Sequence, residues 1–115
     1  MNTLRNTVQL VGHLGQEVKF YNFDSGSTKA SFAIATNDYY KNSKGEKVQD
    51  TQWHNIVAWG KLADNMKTIL DKGSEVLVKG KLTSRSYDDK DGVKRYVTEI
   101  VANEFICFDK KEMPF

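Results

Sequence analysis

Nearly every apolar run in this chain alternates with a period of two, and one thirteen-residue stretch alone carries a helical repeat, so the sequence commits to strands around a single short helix. In TVQLVGHL, Val8, Leu10 and Leu14 fall on one parity and Gln9, Val11 and His13 on the other, with Gly12 marking a bend or bulge. The extended EVKFYNF runs into the turn-rich DSGS. TKASFAIAT then sets Ala30, Phe32 and Ile34 against Lys29, Ser31 and Ala33, which reads as a hairpin. The polar NDYYKNSKGEKVQD is a long loop or a protruding hairpin, and its Tyr39 and Tyr40 are unusual for a loop. In TQWHNIVAWGK, Trp53, Asn55, Val57 and Trp59 share one face and His54, Ile56 and Ala58 the other, so both tryptophans point the same way.

KLADNMKTILDKG is the helical exception, with Leu62, Met66, Ile69 and Leu70 at i, i+4, i+7 and i+8 and Gly73 as a stop. The chain returns to strands in SEVLVKGKLTSRSY and KRYVTEIVANEFICF, joined by the turn DDKDG. Five strand regions with a helix between the third and fourth define an all-β chain with one short helix. This is the order of the OB-fold, a five-stranded Greek-key barrel. At 115 residues there is one core and room for one site, with a domain over 1–108 and a short tail over 109–115.

A lone Cys107 excludes an internal disulfide and every multi-cysteine zinc pattern. The reading is a small buried hydrophobe in a reducing, cytoplasmic setting. The amino terminus shows neither a secretory signal nor a membrane-length apolar run, so no membrane partner is expected. His13 and His54 have no carboxylate or thiol in ligand spacing, so no metal and no other cofactor is expected.

The net charge of +2 permits an anionic partner, and its distribution is more informative than its size. Lys79, Lys81, Thr83, Arg85 and Tyr87 share one parity of the fourth strand, opposite Val76, Val78, Gly80 and Leu82. Such a stripe alone is an ordinary solvated face; the aromatics at its end and on the neighbouring strand change its meaning. A binder of single strands needs cations along a groove and flat rings on which bases can lie. Tyr40, Trp53, Trp59 and Tyr87 are the candidate platforms. Lys41, Lys44, Lys47, Lys61, Lys72, Lys79, Lys81, Arg85, Lys94 and Arg95 are the candidate phosphate contacts. Duplex DNA fits less well, because no helix-turn-helix, zinc finger or basic helix is present to enter a major groove.

The motifs VGHLGQEV, FAIATND, TQWHNIVAWGKLAD, LDKGSEVLVKGKL and RYVTEIVANE, in this order from about Thr7 to Phe108, resemble the bacterial single-stranded DNA-binding protein family. The most specific piece is Trp-His followed by an aromatic-Gly-Lys-Leu-Ala run. The resemblance implies an OB-fold, assembled as a homotetramer, that coats single-stranded DNA in replication, recombination and repair without sequence preference or catalysis. It implies a cytoplasmic, nucleoid-associated protein with stacking at Tyr40, Trp53, Trp59 and Tyr87, and it places His54 at a subunit interface. The competing role for His54 is a buried histidine satisfied within its own subunit.

This chain departs from the family pattern at several points. The early Asp-Pro is missing from GQEVKF, Asn55 stands where arginine is common, Asp71 precedes Lys72, and His13 replaces Asn or Arg, which together point to weaker phosphate affinity. FDKKEMPF follows the last strand directly, where relatives usually carry a long linker and an acidic tip that recruits replication and repair proteins. Met113, Pro114 and Phe115 keep the terminal signature, and Phe115 with its carboxylate is expected to fill a partner pocket; a frayed terminus is the alternative. Two other functions fit the same pattern: a dimeric OB-fold adaptor of replication restart, and an RNA-binding OB module. An enzyme fits least, because no nucleophile elbow, phosphate loop or metal motif gathers the reactive side chains.

Overall fold

The computed structural model describes residues 5–108, in the order β1 (Val8–Leu14), β2 (Lys19–Asn22), β3 (Thr28–Lys41), β4 (Lys47–Trp59), α1 (Lys61–Ile69), β5 (Glu75–Asp88) and β6 (Lys94–Cys107). The sheet runs β1-β5-β6-β4-β3-β2, and β1 also meets β3 through His13–Ala35 and Leu14–Ile34. That last pairing closes five strands into a barrel and leaves β2 outside, along the first part of β3. All pairings are antiparallel except β4–β6, where Ile56 faces Ile100 and Val57 faces Val101. This is the expected OB-fold, with β2 and β3 forming the expected hairpin; the short β2, which pairs only with β3, makes six strands against the five expected, so the helix follows the fourth strand rather than the third.

The inward parity of each strand fills the barrel. Leu14, Phe32, Ile34, Ile56, Ala58, Val76, Val78 and Ile100 are buried together, each large side chain contributing about 1.5–3 kcal/mol. The helix closes one end of this core with Ala63, Met66 and, just past its last turn, Leu70. It ends at Ile69, before the glycine expected to stop it, because Leu70 turns to an extended conformation.

Three hairpin turns share one plan. In Phe23–Ser27, Asn42–Glu46 and Asp89–Val93, the first residue's N–H donates to the fifth residue's carbonyl. A glycine at the fourth position, with positive φ, donates back to the first residue's carbonyl. Asn42 and Asp89 add a side-chain oxygen that accepts two further turn N–H groups. These turns make NDYYKNSKGEKVQD a protruding hairpin rather than a loop, and they extend β5–β6 into a second arm.

The sheet irregularity lies elsewhere than Gly12. Lys79 faces Glu104 and Gly80 faces Ala102, so Asn103 is the extra residue of a bulge. Gly12 instead sits where the Ala35 carbonyl would occupy the space of a Cβ. Its glycine permits the close approach of β1 to β3 that closes the barrel.

Candidate nucleic-acid interface

Strand register gathers the outward side chains into rows. Lys19, Ser31, Val57, Val101 and Lys81 face one another across β2, β3, β4, β6 and β5, with a lysine at either end. On β4, Ile56 and Ala58 point inward and are fully buried, while Trp53 and Trp59 point outward, 60% and 49% exposed. Val57 shares the tryptophans' parity and is nevertheless buried, since it lies mid-row in the centre of the sheet. The outward face is therefore a low apolar floor with a tryptophan toward each end.

Small residues seat the Trp53 ring. Its cross-strand neighbour is Ala35, and it lies against Gly15, where a Cβ would come within 2.6 Å of two ring carbons. A hollow of about 540 Å³ opens beside it, bordered by Lys19, Ser31 and Asn55. Gly15→Ala is expected to keep the fold, because Gly15 has no left-handed backbone requirement, and to push Trp53 off its seat. The outcome to measure is a shifted tryptophan emission with binding to single strands weakened by about 1 kcal/mol. Unchanged emission and affinity would show that the seat is immaterial.

Trp59 is held from the backbone. The Gly60 N–H donates to the Thr28 carbonyl at 2.9 Å, and the Thr28 hydroxyl donates to the Gly60 carbonyl at 3.1 Å. Gly60 takes a positive φ of 67° that turns the chain into α1 directly after the ring. Lys61 borders an open hollow of about 700 Å³ against Trp59.

The two arms carry the other expected platforms. Tyr87 is exposed near the end of β5, with the Arg85 guanidinium 5.8 Å from its ring centre. On the β3–β4 arm the register pairs Tyr39 with Gln49 and Tyr40 with Val48. By parity Tyr39 shares the Trp53 face and Tyr40 takes the opposite one; both are exposed, and the Lys47 ammonium stands 4.6 Å over the Tyr39 ring. Sequence alone does not separate Tyr39 from Tyr40, because their facing depends on the register of an arm whose two faces are equally polar.

The cations divide into two groups. Lys41, Lys44, Lys47, Lys61, Lys72, Lys81 and Lys94 are exposed, and Lys41 and Lys47 face each other across the β3–β4 arm. Three others lie beside carboxylates: Lys79 is 3.9 Å from Glu104, Arg85 is 3.1 Å from Glu99, and Arg95 is 2.9 Å from Asp89. Hydrogen bonding to Glu99, then its charge, raises the already high pKa of Arg85. The Arg95 hydrogen bond, helped by the Val93 N–H, holds Asp89 below the usual carboxylate range. All three cations keep about half of their side-chain surface open to water, so a phosphate can compete with the carboxylates for them.

His54 is half-buried and its Nε2 lies 3.0 Å from the Thr36 hydroxyl of the same chain. Met113, Pro114 and Phe115 lie outside the described residues. Among the described residues no group of three or more His, Cys, Asp or Glu stands together as a metal site, and no helix is long and apolar enough to cross a membrane.

A closed OB barrel that turns aromatic rings outward among lysines defines the class of OB-fold nucleic-acid-binding proteins. Comparison narrows it. The sequence pattern of the single-strand binding protein family matches residues 5–108. The chain is 43% identical over 108 residues to single-stranded DNA-binding protein 1 of Chlorobaculum tepidum, covering 93% of this chain and 67% of that protein. It is 39% identical over 108 residues to single-stranded DNA-binding protein 1 of Xylella fastidiosa, covering 93% and 79%. Among solved structures, the Plasmodium falciparum SSB complex with ssDNA superposes with a TM-score of 0.82 at 29% identity, over 90% of this chain and 95% of that one. A deletion mutant of the single-stranded DNA binding protein from Thermus aquaticus shares the fold, with a TM-score of 0.79 at 23% identity over 92% of this chain and 51% of that one. The chain belongs to the single-strand binding protein family.

Proposed function

We propose that this protein coats single-stranded DNA without reading its sequence, protecting exposed strands in replication, recombination and repair, and that it does so without catalysis. The observation that carries this reading is the pair of half-exposed tryptophans on one outward strand face, with lysines at both ends of the row between them. Rings accept any base by its flat face, and lysines accept any phosphate, so affinity comes without base-edge readout. Paired bases present no free face, which disfavours duplex. Trp53, Trp59 and Tyr87 are assigned to stacking, and on the β3–β4 arm Tyr40 with them although it faces away from Trp53, while its neighbour Tyr39 shares the Trp53 face. Lys41, Lys44, Lys61, Lys72, Lys79, Lys81, Arg85, Lys94 and Arg95 are assigned to phosphates.

Assembly as a homotetramer is part of the proposal. Val11, Leu77 and Ile106 form an outward apolar row across β1, β5 and β6, and Val11 and Ile106 are half-exposed, a surface a second copy would cover. His54 is assigned to a subunit contact, Met113–Phe115 to replication and repair partners, and the protein to the nucleoid.

Competition of an oligo(dT) probe against unlabelled duplex and RNA tests the reading, with light scattering for assembly. The expected result is displacement by any single-stranded DNA sequence, little displacement by duplex, and the mass of four chains. Displacement by duplex as strong as by single strand would overturn the function, equal displacement by RNA would widen the substrate, and a dimer mass would favour an adaptor.

A further inference from the structure

Phe23 occupies a position that turn chemistry assigns to another residue type. In the two sister turns that position is held by Asn42 and Asp89, whose side chains satisfy two turn N–H groups each. Phe23 can accept neither, and it leaves 44% of its surface exposed. A residue that forgoes local stabilisation and exposes a ring points to a use outside the fold.

The neighbours of Phe23 define that use. Its ring is nearly parallel to Trp59, at 26°, with centroids 6.2 Å apart. The register adds a row of three outward side chains on adjacent strands, Tyr21 on β2, Lys29 on β3 and Trp59 on β4. The Lys29 ammonium lies 5.8 Å from the Tyr21 ring centre and 5.5 Å from that of Trp59. Two exposed rings flank one cation, and a third, Phe23, lies against one of them, so the patch offers flat faces beside a positive charge. The patch is continuous with the proposed interface, since Trp59 belongs to both.

We propose that Tyr21, Phe23 and Lys29 form a further stacking subsite, which receives the bases and phosphate of a DNA single strand continuing past Trp59. It rests on the reading of Trp53 and Trp59 as base platforms. Its occupant is the same strand rather than a protein partner, because a cation set between rings matches alternating base and phosphate. The consequence is a longer stretch of DNA engaged by each subunit than the β4 tryptophans alone define.

A ladder of dT oligomers of increasing length, titrated against wild type, Phe23→Leu, Phe23→Tyr, Tyr21→Leu and Trp53→Ala, tests the subsite. Phe23→Leu is expected to bind the shortest oligomers normally and to weaken binding about 5- to 150-fold once the strand is long enough to pass Trp59. Phe23→Tyr, which keeps a ring, is expected to bind like wild type at every length. Length-independent weakening by Phe23→Leu would mean that Phe23 merely braces Trp59, and would overturn the subsite. Wild-type binding by Phe23→Leu and Tyr21→Leu alongside weakened binding by Trp53→Ala would refute the subsite alone. Wild-type binding by all variants, Trp53→Ala included, would refute the underlying reading of the platforms as well.

Discussion

The double replacement Trp53→Ala/Trp59→Ala is expected to weaken binding to every single-stranded sequence by about 2–6 kcal/mol, with the fold retained. Each base stacked on a ring contributes about 1–3 kcal/mol by alanine substitution. Six residues along a strand separate the two rings by about 20 Å, far enough for their effects to add. Both side chains point away from the barrel and are about half exposed or more, so their loss opens no core cavity. Circular dichroism and an unchanged unfolding midpoint would verify the fold, and titration with several oligonucleotide sequences would give the affinity. A loss confined to one sequence would mean base readout rather than stacking, and unfolding would mean that the rings are core.

Gly80→Ala is expected to damage the fold instead. Gly80 stands beside the bulge of β5–β6, and an added Cβ would overlap the Val101 carbonyl oxygen and come within 2.8 Å of its carbon. The obstruction is backbone, which cannot rotate aside as a side-chain tip can. Overpacking typically costs 1–3 kcal/mol, and a backbone clash inside a two-strand register belongs at or above the upper end, about 3 kcal/mol. Folded domains have about 5–15 kcal/mol in hand, so a large fraction of stability is at stake. Urea unfolding is expected to show a much lower midpoint at similar slope. A midpoint within experimental error of wild type would show that the strands part easily at the bulge.

The sequence made the barrel legible wherever one face of a strand is buried. Alternation alone puts Ile56 and Ala58 on one side and Trp53 and Trp59 on the other, and the burial of Ile56 and Ala58 decides which side is core. Where both faces of a strand meet water, alternation vanishes. In sequence the stretch from Asn37 to Asp50 reads as either a loop or a hairpin, although Asn42 and Gly45 build an ordinary turn within it. For the same reason alternation does not tell Tyr39, on the Trp53 face, from Tyr40, on the opposite one.

Row membership is a second limit, since it depends on pairing between distant segments. Nothing local to KFYN shows that Tyr21 faces Lys29 and that Lys29 faces Trp59 in turn. The bulge has the same character: Gly80 reads as one more inward position of β5 until its partner strand supplies Asn103 as an extra residue. Carboxylate pairing was likewise hidden, because Arg85 and Glu99 lie fourteen residues apart and meet only across the hairpin.

The most direct test of the account is intrinsic tryptophan fluorescence during titration with poly(dT) and, separately, with a duplex of matched length. Trp53 and Trp59 are the chain's two tryptophans and both stand on the proposed interface. Deep, saturable quenching by poly(dT), shifting to higher DNA concentration as salt rises, is expected, with little quenching by duplex. Binding of poly(dT) with the emission of both rings unchanged would contradict the proposed interface, because DNA would then be held somewhere other than on the face that Trp53 and Trp59 share.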